Sequence, residues 1–297
     1  MKIYGGIEAG GTKFVCMLGT DPDHVLAEER FPTTTPAETL GRAIEFFQRA
    51  AQGHKLIAIG IGSFGPVDLH AESPTYGYIT TTPKPGWAQT DLCGMLHQAL
   101  QVPIAFDTDV NAAAFGEHTW LPENRALDPL LYLTVGTGIG LGAIVNGQPL
   151  HGLLHPEAGH MLLPHDRTVD PFEGDCPFHG DCWEGLASGP AVEKRWNRRG
   201  ETLPPDHPAW QLEARYIAYA VANLIYAFSP QRIVLGGGVM QQAGLLDRVR
   251  HEVQRIINGY LQSDRITRDI DQLIVAPGLG NRSGVLGAIA LAIQTAR

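Results

Sequence analysis

At 297 residues the chain is too long for one minimal core and suits one large or two medium domains. Apolar residues make up 44% and charged residues 18%, with 35 glycines, which excludes a disordered chain and implies many tight turns. A formal net charge of -9 without any run of Lys and Arg argues against nucleic acid as a partner, and no stretch approaches the roughly 18 consecutive apolar residues of a membrane span.

The start, Met1-Lys2-Ile3-Tyr4-Gly5-Gly6, lacks the apolar core of a signal peptide, so a cytoplasmic location is expected. Glycine turns alternating with β-rich runs predict strands at Lys2–Ile7, Lys13–Leu18 and Val25–Arg30, in the order of a meander. Thr35-Pro36-Ala37-Glu38 then combines an N-cap, a first-turn proline and an acidic residue three places after the cap. Leu40, Ala43, Ile44 and Phe47 follow at helical spacing, which predicts a helix over about Pro36–Ala51. Leu56–Ile61 reads as a buried strand. Ser63–Trp87 is rich in Pro, Gly, Thr and Tyr without periodicity, and Leu163–Pro190 behaves likewise; long segments of this kind in a compact protein are commonly functional.

The order of the first half recurs. Strands are predicted at Leu130–Thr134 and Gly140–Val145, a helix near Trp210–Phe228 carrying Ile217, Val221, Leu224, Ile225 and Phe228, and a strand at Ile233–Leu235. The chain therefore reads as a duplication. Gly284–Thr295 is apolar with helical spacing and is expected to pack back on the first half.

In each half a glycine-rich turn joins the first two strands, Gly5–Lys13 first and Val135-Gly136-Thr137-Gly138-Ile139-Gly140 second. That pairing suggests one nucleotide held between two lobes, each turn offering N–H groups to phosphate oxygens. Gly10-Gly11-Thr12-Lys13 is not a P-loop, because no glycine lies five positions before a Gly-Lys-Ser/Thr. It fits either a phosphate hairpin, with the Thr12 hydroxyl and Lys13 charge available, or a plain β-turn. Gly236-Gly237-Gly238 offers bare backbone to an adenine ring, or else marks a turn that needs positive φ.

Phe106-Asp107-Thr108-Asp109-Val110-Asn111 lies where an apolar strand ends and an alanine-rich helix begins, the place where α/β proteins face their ligands. Asp109 can there accept the proton of a sugar hydroxyl attacking a γ-phosphate. Use of Asp107 or Asp109 as the helix N-cap is the competing reading. Four cysteines are too few for a disulfide framework, so Cys16, Cys93, Cys176 and Cys182 are expected as thiols and metal binding competes for any Cys/His cluster. His160, Cys176, His179 and Cys182 match a closed tetrahedral zinc site in ligand count and type, against an incidental thiol pair. His118, His151, His155 and His165 have no comparable partners and read as surface or packing residues.

Together these motifs resemble the ROK family of sugar kinases over nearly the whole chain. The resemblance implies an α/β fold, the duplicated two-lobe actin-like ATPase (ribonuclease H-like) fold. The expected lobes are residues 1–112 with the C-terminal helix at 284–297, and residues 113–283 with the zinc loop. The family's phosphate hairpin stands as Ile7-Glu8-Ala9-Gly10-Gly11-Thr12-Lys13 and its second phosphate loop as Gly136-Thr137-Gly138-Ile139-Gly140, with Gly237 and Gly238 on the adenosine side. ATP contacts are thus implied for Glu8, Gly10, Gly11, Thr12, Lys13, Thr137, Gly138, Gly140, Gly237 and Gly238. Asp109-Val110-Asn111-Ala112-Ala113 stands for the family's Asp-x-Asn-Ala-Ala, which makes Asp109 the implied general base and Asn111 a sugar ligand. Glu157-Ala158-Gly159-His160 and Cys182-Trp183-Glu184 stand for the sugar-and-zinc signature. They imply that Glu157, His160 and Glu184 bind sugar hydroxyls while His160, Cys176, His179 and Cys182 hold Zn²⁺.

Many members carry Asp where Glu8 stands, and a Cys-x-Cys-Gly-x2-Gly-Cys loop where this chain has Cys-x2-His-x2-Cys. Both departures look like the fructokinase branch, as do Gly62–Pro66 and Tyr78–Trp87. Mg²⁺ is expected with ATP, leaning on the phosphates, with Glu8 reaching it directly or through water. The implied activity is ATP-dependent phosphorylation of a hexose, fructose first, with mannose, glucose or N-acetylmannosamine as alternative acceptors, in a homodimer. From another class, a sugar-responsive repressor would need a basic helix-turn-helix extension that this acidic chain lacks, and a non-catalytic sugar sensor would have lost Asp109.

Overall fold

The first glycine-rich segment of the computed structural model, which describes residues 1–296, forms β1 (Lys2–Ala9) and β2 (Lys13–Asp21), antiparallel with Ala9 opposite Phe14. β3 (His24–Pro32) adds to β2. α1 (Pro36–Ala50) starts where its cap signal stands, with the Thr35 hydroxyl accepting the Glu38 N–H, and buries Leu40, Ala43, Phe46 and Phe47. β4 (Lys55–Ser63) returns parallel to β1. After α2 (Leu92–Leu100), β5 (Ile104–Thr108) lies parallel to β4, for a strand order of β3-β2-β1-β4-β5. Ile3, Ile7, Phe14, Phe47, Ile59, Ile61 and Trp87 fill this core, each fully buried. A side chain of that size buried from water stabilises by about 1.5–3 kcal/mol.

α3 (Asp109–Trp120) follows β5 without a loop. Its run of Ala112, Ala113, Ala114 and Gly116 is buried because the C-terminal helix, Ser283–Thr295, packs backbone to backbone against it; a Cβ on Gly287 would collide with the Ala112 carbonyl. α3 therefore runs through position 112, where the sequence places a lobe boundary. By its packing the chain divides into two units. The first comprises Met1–Ala126, Gly147–His155 and the segment from Arg282; the second comprises Leu127–Asn146 and Pro156–Asn281.

The second unit repeats the plan of the first. β6 (Leu130–Val135) pairs antiparallel with β7 (Ile139–Val145), Val135 opposite Ile139. The chain then passes through α4 (Trp183–Ala187), α5 (Gly189–Trp196) and α6 (Ala209–Phe228), and β8 (Arg232–Gly236) returns parallel to β6. α6 buries Ile217, Val221, Leu224 and Ile225, the residues its 3.6-residue period marks, while Phe228 stays half-buried at its end. Between β7 and α4 the long segment is nearly devoid of regular structure yet is tied down. Asp170, buried, accepts from Arg195 Nε at 3.1 Å and the Tyr216 hydroxyl at 2.6 Å, and His165 lies between the Asp170 carbonyl and Asp181 at 2.9 and 3.0 Å. Among the described residues no helix is long and apolar enough to cross a membrane.

Candidate active site

The junction of β5 and α3 is capped by neither aspartate. Thr108, in extended conformation, accepts the Asn111 N–H on its hydroxyl at 3.1 Å and is the N-cap. Asp109 is then the first helical residue, half-buried, with its Oδ1 accepting the Val110 N–H at 2.8 Å. Asp107 is almost wholly buried, and both its oxygens are used. Oδ1 accepts from Thr108 N–H and Asn111 Nδ2, each at 2.8 Å, and Oδ2 accepts from His151 Nε2 at 2.9 Å. Asn111, implied as a sugar ligand, is fully buried and its amide serves this turn. The hydrogen bond to Asp107 raises the pKa of His151 above its ordinary value.

The β1–β2 turn is closed by Gly10 N–H to the Lys13 carbonyl at 3.0 Å, and Thr33 braces it from outside through its hydroxyl to Gly10 O and its N–H to Thr12 O. Thr12 and Lys13 remain exposed at its tip. Glu8 turns the other way. Its carboxyl lies against the first turn of the C-terminal helix, where it accepts the Val285 N–H and a Cβ on Gly284 would come within 2.8 Å of it. Burial raises its pKa, opposed by Lys13, Arg30 and the Val285 N–H.

In the second unit the β6–β7 turn and Glu184 form one piece. Glu184 Oε2 accepts the Ile139 N–H at 2.9 Å, and a Cβ on Gly138 would meet the same oxygen at 2.8 Å. Gly189 N–H, opening α5, donates to the Gly136 carbonyl at 2.7 Å. The Ala158–His160 turn packs on the same place, since a Cβ on Gly159 would strike the Ile139 carbonyl. Glu157 is open to solvent on one side and enclosed by protein on the others. That enclosure, with the negative charge of Glu184, pushes its pKa up to about 7. The glycines after β8 have separate reasons. Gly237 has φ of 95° and abuts the Val135 backbone, whereas a Cβ on Gly238 would meet nothing within 4 Å.

His160, Cys176, His179 and Cys182 converge, with ligand atoms all within 4.8 Å of one another. Cys176 Sγ lies 3.8 Å from His160 Nδ1 and 3.6 Å from His179 Nδ1, and Cys182 Sγ lies 3.5 Å from His160 Nδ1. A tetrahedral site with zinc–sulfur and zinc–nitrogen bonds of ordinary length has N–S edges of about 3.6 Å. The donor set and its spacing therefore fit Zn²⁺. Paired backbone bonds between Cys176 and Gly180, at 3.1 and 2.9 Å, shape the loop between the ligands.

Three histidines read as packing or surface residues have definite partners. His151 meets Asp107, the His155 ring accepts the Val67 N–H at 3.2 Å, and His165 joins Asp181. Spacing carries no signal of the first two, because the partners are 44 and 88 positions away.

A sequence profile described as the ROK family matches residues 4–295 of the chain. The fructokinase of Zymomonas mobilis subsp. mobilis is 45% identical over 299 residues, covering 98% of this chain and 97% of its own. That of Streptococcus mutans serotype c is 45% identical over 298 residues, covering 99% of each. Among solved structures, the ROK hexokinase from Thermus thermophilus matches with a TM-score of 0.77 at 27% identity, over 99% of this chain and 98% of that one.

Proposed function

Because the chain belongs to the ROK family and has the actin-like ATPase fold of its sugar kinases, we propose that it transfers the γ-phosphoryl group of ATP to fructose, forming fructose 6-phosphate. The observation that carries this reading is the 45% identity to two fructokinases over virtually their whole length.

Asp109 is the general base. It takes the proton of the sugar hydroxyl as that oxygen attacks the γ-phosphorus, and the bond from phosphorus to the ADP oxygen breaks. Little covalent help is needed, so the remaining residues orient the reactants and spread charge. The exposed tip Gly10-Gly11-Thr12-Lys13 offers N–H groups, a hydroxyl and an ammonium to the phosphates, and Thr137, Gly138 and Gly140 offer a second turn. Gly238, with open space above it, suits close approach of the adenosine, and Gly237 gives the turn its shape. Mg²⁺, bound with ATP, would neutralise phosphate charge, with Glu8 reaching it directly or through water. Glu184 keeps one carboxylate oxygen for a sugar hydroxyl while Ile139 N–H occupies the other, and Glu157 and His160 supply further hydrogen bonds. Zn²⁺, held by His160, Cys176, His179 and Cys182, would cross-link the loop; four protein ligands leave no open position for a catalytic water. A cytoplasmic homodimer is proposed on family likeness alone.

The test is a coupled assay with fructose, mannose, glucose and N-acetylmannosamine at equal subsaturating concentration. Fructose is expected to be phosphorylated fastest. Similar rates for all four sugars would overturn the choice of substrate, and no turnover with any of them would overturn the kinase reading.

A further inference from the structure

Residues 147–155 belong with the first unit although they run directly into the Glu157–His160 motif. This short strap is pinned at three points. His151 holds Asp107, the Leu153 carbonyl meets His70 Nε2 at 2.7 Å, and the His155 ring accepts the Val67 N–H. The bonds also assign protons. A carboxylate oxygen as partner requires the hydrogen of His151 on Nε2, whereas an N–H partner leaves Nε2 of neutral His155 bare.

Asp107 is where the strap reaches the chemistry. Its carboxyl is 3% exposed while the His151 side chain is 43% exposed, so a buried acid is satisfied by a ring that solvent also reaches. The other oxygen of Asp107 holds Thr108 N–H and the Asn111 amide, which flank Asp109 on both sides. We propose that His151 is a positioning residue for phosphoryl transfer, acting through Asp107 to fix the first turn of α3 and hence the direction of the Asp109 carboxylate. This rests on the reading of Asp109 as the base. Removal of the ring lets water reach Asp107 Oδ2 from the vacated side, so the acid stays solvated and the fold survives. The direction of the turn is what is lost.

The experiment measures kcat, both KM values and thermal melting for His151→Ala, His151→Gln, Asp107→Asn and the double variant His151→Ala/Asp107→Asn, with Asp109→Asn as reference. His151→Ala should lower kcat by about 10- to 100-fold, the cost of a misaligned catalytic group, with the ATP KM and melting temperature close to wild type. His151→Gln, whose amide N–H reaches about where Nε2 lies, should recover most of the rate. The double variant should be no slower than the slower single variant, because His151 acts only through Asp107 and its loss adds nothing once Asp107 is changed. The proposal is overturned if His151→Ala keeps kcat within about twofold of wild type while Asp109→Asn is inactive. It is equally overturned if Gln gives no rescue, if the two losses multiply, or if the rate falls only in step with the melting temperature. An active Asp109→Asn enzyme would overturn the base assignment itself, and with it the route through His151, without reference to any His151 variant.

Discussion

The turn at Asp107–Asn111 and the loop from His160 to Cys182 hold their functional residues by opposite means. In the turn, buried polar atoms are paired by protein groups at 2.8–3.1 Å, and the geometry is complete within the chain. In the loop, two thiols and two imidazoles stand at 3.5–3.8 Å, the edge lengths of a tetrahedron rather than strong hydrogen bonds. The far side of the loop is anchored by Asp170 and its partners, whereas at the ligand end backbone bonds, such as Trp183 N–H to the Met161 carbonyl, hold the loop and the four ligand side chains would be joined by the proposed zinc. The turn should thus be indifferent to zinc, and the loop should not.

The largest expected effect tests the turn. Asp109→Asn should lower kcat by about 10²- to 10⁴-fold, the usual contribution of a positioned base. Melting temperature and sugar affinity should stay near wild type, because Thr108 still caps α3 and Asp107 still holds it. Steady-state kinetics with calorimetric melting check both halves, and turnover near the wild-type rate would reduce Asp109 to an orienting group.

The next effect tests the loop. Chelation of zinc, or Cys182→Ser, should lower the melting temperature by several degrees and raise the sugar KM while leaving the ATP KM unchanged. Metal analysis of the untreated protein should find about one zinc per chain. A metal-free preparation with full stability and an unaltered sugar KM would falsify both the ligand set and its coupling to Glu184.

A smaller pair of changes separates the two substrates. A Cβ on Gly138 intrudes on Glu184, so Gly138→Ala should raise the sugar KM as well as the ATP KM. The rise should be roughly tenfold if one charge-assisted hydrogen bond of about 1.5 kcal/mol is lost. Gly238→Val, where space is open, should raise the ATP KM alone. Gly237 is unsuited to this comparison, because its positive φ makes any substitution a folding defect. An unchanged sugar KM in Gly138→Ala would break the link between the proposed phosphate turn and the proposed role of Glu184 at the sugar.

The smallest effect is the control. Cys93 lies in the first unit's apolar core, far in sequence from the ligand set, and burial raises its thiol pKa to about 12. Cys93→Ser should cost about 1 kcal/mol for burying a hydroxyl, seen as a drop of a few degrees in melting temperature, with zinc content and both KM values unaltered. Loss of zinc in this variant would mean that the metal is not where the loop places it.

What could be read from the sequence was local or countable. Thr35 and Glu38 mark the start of α1 because a cap bond spans three residues, and the apolar stripe of α6 follows from its period. Cys176, His179 and Cys182 announce a ligand set because few soft donors exist in the chain and three fall within seven positions. The repeated order of glycine turn, hairpin and parallel return strand was visible for the same reason, since each half repeats a short-range pattern. Even the cap of α3 is a local matter, but the sequence reading weighs only Asp107 and Asp109 for it. The structure gives the cap to Thr108, between them, whose backbone is extended.

By itself, then, the sequence determined the first strands of each half, helices such as α1 and α6, the duplication and the family, while α2 and α5 went unmarked. Tertiary structure alone decided that Glu184 rests on Ile139, 45 positions away, that Glu8 accepts the Val285 N–H, and that His151 reaches Asp107. The physical reason is range. A helical turn, a cap or a ligand spacing is fixed by bonds across a few residues and leaves a periodic or compositional mark. A hydrogen bond between residues brought together by packing leaves none, because any chain segment that fits the core can deliver the partner.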